Sequence, residues 1–147
     1  MSRSYTKLGI ALAISYVVMF LLTMSMIREL DHFYVNASNA YMAAVMVLPM
    51  GVIMIAVMWS MFGNKALNIA LLVAFLALFA GVWALGRQEA GVGNEQFLKS
   101  MIPHHSRAIL VCQESDITDP EIVELCRTIV ETQREEIAQM KDILDRY

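Results

Sequence analysis

The chain has 147 residues, and 58% of them are hydrophobic, well above the roughly 45–50% of an ordinary soluble domain. Its formal net charge is −3, and no basic stripe or phosphate-cradling glycine motif is present, which argues against nucleic-acid and nucleotide binding. The apolar excess lies in residues 8–85, whereas residues 86–147 hold most of the acids and bases, so a membrane unit followed by a small polar appendage is expected.

Leu8–Ile27 is apolar apart from Gly9, Ser15, Tyr16, Thr23 and Ser25. About twenty residues at 1.5 Å rise cover the roughly 30 Å hydrocarbon core of a bilayer. The run is too long for the apolar core of a signal peptide, and no small-x-small cleavage site follows it, so it reads as a retained first span. Residues 28–40 form a polar connection that carries His32 and the sequon Asn36-Ala37-Ser38, read as accidental. The second span is expected at Tyr41–Phe62, a tight turn at Gly63-Asn64-Lys65, and the third span at Ala66–Leu85. Trp59 and Trp83 fall near span ends, where amphipathic rings favour the interface. Pro49 in mid-span removes a helical hydrogen bond and predicts a kink.

Orientation rests on the basic residues beside the spans. Arg3, Lys7 and Lys65 fall on one side, Arg28 and Arg87 on the other, which places the N-terminus in the cytoplasm and the polar third outside it. Met42, Met46, Met50, Met54 and Met58 recur every four residues along the second span. Such a row is either a set of thioethers for Cu(I) or Ag(I) or, more simply, adaptable packing against the other spans. His32 is either a ligand at the mouth of the bundle or, more simply, a solvated loop histidine.

Residues 86–93 read as a flexible, glycine-rich linker. Asn94 then serves as N-cap for a helix from about Glu95 to Ser115, with Pro103 restarting or kinking it and freeing the Lys99 carbonyl. The turn Asp116–Pro120 leads into a helix from about Pro120 to Asp145, capped either by the Thr118/Glu121 box or by Asp119. Helical spacing predicts inward faces of Phe97, Met101, His104/His105, Ala108 and Cys112 on the first helix. On the second they are Ile122, Cys126, Ile129/Val130, Gln133, Ile137, Met140 and Leu144. Folding the helices antiparallel with Cys112 opposite Cys126 sets His105 opposite Gln133 and brings Met101 within a turn of Met140. Sulfur, imidazole and amide groups then meet. Adjacent His104 and His105 point about 100° apart, so one undistorted helix does not chelate an ion with both. Imidazole with thioether suits Cu(I), and imidazoles with carboxylate suit Cu(II); Glu136 is a ligand or an orienting partner. Cys112 and Cys126 are open to three readings: a disulfide, small core residues, or thiolate ligands.

The run FLKSMIPHHSRAIL followed by DPEIVELCRTIVETQREEIAQMK resembles the family known as domain of unknown function 305. The resemblance rests on Met101, Ile102, His104 and His105, then Gln133, Glu136, Ile137 and Met140, and covers about residues 94–145. DHFYVN at 31–36 and YMAAVM at 41–46 resemble its membrane-anchored form. The resemblance implies a ferritin-like helical bundle outside the cytoplasm, linked in some members to copper or silver binding and tolerance.

The expected fold is therefore all-α. It has a three-span transmembrane unit over 1–85 (about 8–27, 41–62 and 66–85), a linker over 86–93, and an extramembrane antiparallel helical hairpin over 94–147. Two helices alone bury too little for a full bundle, so the hairpin is expected to complete a four-helix bundle by dimerising or by docking on a larger membrane complex. The expected function is a soft-metal binder, not an enzyme, in a bacterial inner membrane with the hairpin periplasmic or extracellular. Copper, or silver, is held by Met101, His104, His105 and Met140, with weaker candidates Gln133, Glu136, Cys112, Cys126 and His32. The alternative is a structural or accessory membrane subunit without metal. A carboxylate-bridged oxidase is disfavoured because the repeated Glu-x-x-His set is absent.

Overall fold

The computed structural model describes residues 3–147. Among them the chain forms five α-helices and no strand: α1 (Arg3–Ser25), α2 (Ala37–Val57), α3 (Lys65–Arg87), α4 (Asn94–Glu114) and α5 (Pro120–Leu144). The first three are each long and apolar enough to cross a membrane. The chain divides into two compact units. One takes the chain up to Thr23 with Ser38–Ala90; the other takes Met24–Ala37 with Gly91–Tyr147.

The apolar unit is held by a cluster of Tyr5, Leu8, Leu12, Val47, Ile55 and Phe62. Gly51 marks a close approach of its three helices. A Cβ there would lie 3.1 Å from Phe75 of α3 and 3.2 Å from Leu12 of α1. Small residues let apolar helices approach where no hydrophobic effect drives them together. At one end, the fully buried Asn68 accepts from the Tyr5 hydroxyl at 2.7 Å and donates to the Phe62 carbonyl at 3.2 Å. A buried amide without such partners costs free energy, so these bonds fix the end of the bundle.

The spans differ from expectation at their edges. α2 begins at Ala37 and ends at Val57, and a 3-10 turn at Trp59–Met61 replaces the last helical residues expected through Phe62. The tighter turn uses bonds from Met61 to Met58 and from Phe62 to Trp59, which bring the chain round to the Asn64 cap of α3. α2 is continuous through Pro49. Nor is 86–93 a free linker throughout. α3 runs to Arg87, and the following turn carries Glu89 at φ 47° and Gly91 at φ 77°. The Tyr41 hydroxyl donates to the Ala90 carbonyl at 2.7 Å, and Ser38 donates to the Glu89 carboxylate at 2.7 Å.

In the polar unit α4 and α5 run antiparallel. Asn94 meets Tyr147 at 3.0 Å, His105 meets Glu136, and Cys112 is bonded to Cys126. Asp119, not Thr118, caps α5, accepting from the amides of Glu121 and Ile122. Gly93, not Asn94, is the N-cap residue of α4. The core contains Leu98, Ile102, Ile109, Ile137 and Met140. On α4 this stripe sits one residue round from the expected one, and Phe97 is 52% exposed. Ile122 of the expected α5 face is also exposed.

The rotation has a cause: α4 packs against two elements, not one. Residues 24–37, expected as a plain connection between spans, lie along α4 in the opposite direction. The Ala37 amide donates to Gln96, Asn36 to the Lys99 carbonyl, and the Arg28 amide to Ser106. Arg28 pairs with Glu114 at 2.8 Å, and Lys141 of α5 reaches Asp31 at 2.5 Å. Tyr34 packs on the apolar cluster. The buried stripe of α4 therefore faces both α5 and this segment, displaced by about one residue, or roughly 100°.

Candidate metal site on the helical hairpin

α4 continues unbroken through Pro103, which lacks the amide that would bond to Lys99. The orphaned Lys99 carbonyl instead accepts from Asn36 at 3.4 Å, and the same amide donates to Tyr34 at 2.9 Å. Asn36 is only 2% exposed, so the sequon is occupied by a packing role. Pro103 is itself buried, and the next two residues are the histidine pair.

His104 and His105 diverge as helical geometry requires: their ring centroids are 6.0 Å apart and their planes 64° apart. His104 is exposed and His105 half-buried. Nδ1 of His105 lies 3.0 Å from Oε2 of Glu136 on α5. The distance suits a hydrogen bond but the direction does not, so Nδ1 is buried with no hydrogen-bond partner. Two ligand atoms about 3 Å apart and not bonded to each other are spaced as neighbours round one ion with bonds near 2 Å. Burial pushes the His105 imidazole below its ordinary range, and His104 adds to this, while Glu136 opposes it. The ring is therefore held neutral at pH 7, the form that ligates metals.

The other expected ligands divide. Gln133 is half-buried one turn from Glu136 on α5. Met140 is buried in the apolar cluster, and Met101 packs partly buried against it. Cys112 and Cys126 are joined to each other, so the bonded pair offers no thiolate to a metal. In the apolar unit Met50, Met54 and Met58 pack against the cluster, as the packing reading expects. Met42 and Met46 are 55% and 38% exposed.

His32 is not a solvated loop residue. It is 6% exposed, with Nδ1 2.9 Å from the Ser106 hydroxyl, next in sequence to His105. Its Nε2 faces Asp31 at 3.7 Å and Glu29 at 4.0 Å. These three form a group with ligand-like spacing, but Asp31 is also engaged by Lys141, and Arg134 and Lys141 line the adjoining cavity of about 220 Å³. Burial pushes the His32 imidazole down, with Lys141 adding to the effect against Asp31 and Glu29. Sequence reasoning missed this connection. The signal for it was a histidine, a tyrosine and an asparagine close together in a short inter-span segment.

An all-helical chain with three candidate spans and a disulfide-clipped helix pair is the class these features define. The family model described as "Domain of unknown function (DUF305)" matches residues 82–144. An uncharacterised protein of Acanthamoeba polyphaga mimivirus is 30% identical over 134 residues, covering 89% of this chain and 86% of its own. The chain belongs to the domain of unknown function 305 family. No solved structure matches it.

Proposed function

We propose that this protein is a membrane-anchored binder of copper, or silver, that serves metal homeostasis or tolerance and has no enzymatic activity. The buried, unbonded Nδ1 of His105 beside the Glu136 carboxylate carries the reading. A polar atom buried without a hydrogen-bond partner calls for an explanation, and an ion shared with the neighbouring carboxylate supplies one. His105 and Glu136 would hold the ion, with Gln133 one turn away; His104 and Met101 occupy neighbouring positions on α4. The donor set of imidazole, carboxylate and thioether fits copper better than a hard cation. Bound metal would supply a soft Lewis-acid centre. The chain's own part is to keep His105 neutral, to fix α4 against α5 with the disulfide, and to anchor both outside the lipid.

α1–α3 then span a bacterial inner membrane with the N-terminus inside and residues 24–37 and 91–147 outside. Three crossings place the α1–α2 segment and the segment after α3 on one side, and these are the two segments that make up the polar unit. One hairpin supplies only part of a ligand set, so a homo-oligomer that completes a four-helix bundle is the expected assembly.

The test is anaerobic Cu(I) titration of the purified full chain against a chromophoric competitor. The His104→Ala/His105→Ala double variant is expected to bind at least a hundredfold more weakly, and Glu136→Gln ten- to a hundredfold more weakly. Unchanged affinity in the double variant rejects the site. A stoichiometric protein partner and no retained metal would favour the accessory-subunit reading instead.

A further inference from the structure

The apolar unit has an uneven charge distribution that the metal reading does not use. Arg3, Lys7, Lys65 and Arg87 are its cations, and Glu89 is its only acid in the sequence. Arg87 ends α3 and Glu89 follows it, whereas Arg3, Lys7 and Lys65 gather at the opposite end, where α1 and α3 begin. That end carries three cations and no carboxylate.

A cavity of about 280 Å³ opens at the same end. Its apolar lining includes Leu8 and Ala11 of α1 with Met54, Met58 and Phe62, and its polar lining is Arg3, Ser4 and Lys7. Arg3 and Lys7 are one helical turn apart and so share a face of α1. The cavity thus combines an apolar trough between α1 and the end of α2 with two cations on one rim.

We infer that this trough binds one anionic phospholipid of the surrounding membrane, with an acyl chain along Leu8, Ala11, Met54 and Met58 and the phosphate at Arg3 and Lys7. The inference rests on the reading of α1–α3 as spans. Two other occupants fit less well. A Cu(I) ion on the methionines would sit beside two cations with no anion in the lining, and neutral thioethers offer no compensating charge. A second copy of the chain would bring the same positive rim against this one. An anionic lipid satisfies the charge and the apolar trough together. Lysine and arginine near a membrane surface attract anionic headgroups, and two of them one helical turn apart beside an apolar groove turn that attraction into a site.

The experiment is native mass spectrometry of the full chain, purified in a neutral detergent and offered equal amounts of phosphatidylglycerol and phosphatidylcholine. The wild type is expected to retain one phosphatidylglycerol in preference to phosphatidylcholine by roughly tenfold or more. Arg3→Gln/Lys7→Gln should abolish the preference. Lys65→Gln, at the same end but outside the lining, should keep it. Met58→Trp, which fills the trough and leaves both cations, should lose the lipid. Excess inorganic phosphate should not displace it. No preference in the wild type, or equal loss with Lys65→Gln, overturns the site, as does displacement by phosphate alone. Retention of Cu(I) by the trough, or a dimer that Met58→Trp breaks, would assign it to those occupants and overturn the lipid. Alkaline carbonate extraction of native membranes tests the span reading separately: a chain released into the supernatant does not span.

Discussion

Ser106 is the residue on which the polar unit turns. It is fully buried, accepts from the Arg28 amide at 2.7 Å, and lies 2.9 Å from His32 Nδ1. One hydroxyl therefore ties the inter-span segment to α4 immediately beside the candidate ligand His105. A buried imidazole in such a place has a consequence for pH. Burial holds both His32 and His105 below the 6.5 of an unfolded histidine. The unfolded chain then takes up protons that the folded chain refuses. Stability from these groups is fully present above pH 6.5 and is lost as pH falls from there through their folded values. Thermal melts of the metal-free protein between pH 8 and pH 5 are expected to show a falling midpoint below about 6.5, with up to one proton per group on unfolding. His32→Gln should flatten part of that fall. A midpoint as high at pH 5 as at pH 8 would contradict the burial of both rings.

At the scale of elements, the α4–α5 pair is closed by a disulfide across a sequence separation of 14. Closing a loop of about this length in the unfolded chain stabilises the fold by about 3 kcal/mol on the chain-entropy account. Reduction, or a Cys112→Ser/Cys126→Ser double substitution, should lower the stability of the polar unit by about that amount in denaturant titration. The apolar helices, which hold neither cysteine, should keep their helical signal. The elements themselves were legible in the sequence, because apolar runs of twenty residues and a 3.6-residue periodicity leave few alternatives. The Pro120 start and its Asp119 alternative cap were legible for the same local reason. The buried face of α4 was not. Phe97, Met101, His104 and Ala108 have the right spacing for a core stripe, and so do Leu98, Ile102, His105 and Ile109. Only the element lying over α4 decides between two stripes one residue apart. That element is a short segment with a single 3-10 turn, some sixty to eighty residues earlier, whose hold on α4 runs through Asn36, His32 and the Arg28 backbone. Period and propensity carry no trace of such pairings. At the site the same limit appears. Spacing placed Gln133 across from His105, whereas Glu136 is the residue at 3.0 Å, one turn away.

For the whole molecule the parity of spans and the composition of the polar unit constrain one another. Residues 24–37 leave α1 and enter α2, while 91–147 follow α3. If all three helices cross the bilayer, both segments emerge on one side and can fold together without passing through lipid. If one of α2 and α3 failed to cross, the Arg28–Glu114 and Asp31–Lys141 pairs would be on opposite sides of the membrane. The ion pairs therefore require both segments to share one side, whichever way the chain is oriented, and side and orientation can be tested together. With the Arg3, Lys7 and Lys65 end inside, a reporter after Tyr147 should be accessible to a membrane-impermeant reagent in intact cells. A single cysteine at Asn64, in a Cys112→Ser/Cys126→Ser background, should be reached only after permeabilisation, and one at Glu29 should be reached without it. Labelling of Glu29→Cys and the C-terminal reporter on opposite sides would break the three-span arrangement. Labelling of both from the inside would keep it and reverse the orientation, placing α4 and α5 in the cytoplasm, where a Cys112–Cys126 disulfide is not expected to persist. The disulfide in native membranes, read by thiol trapping in acid-quenched cells, is thus a second readout of the same question. An oxidised pair together with an accessible C-terminus is the expected outcome.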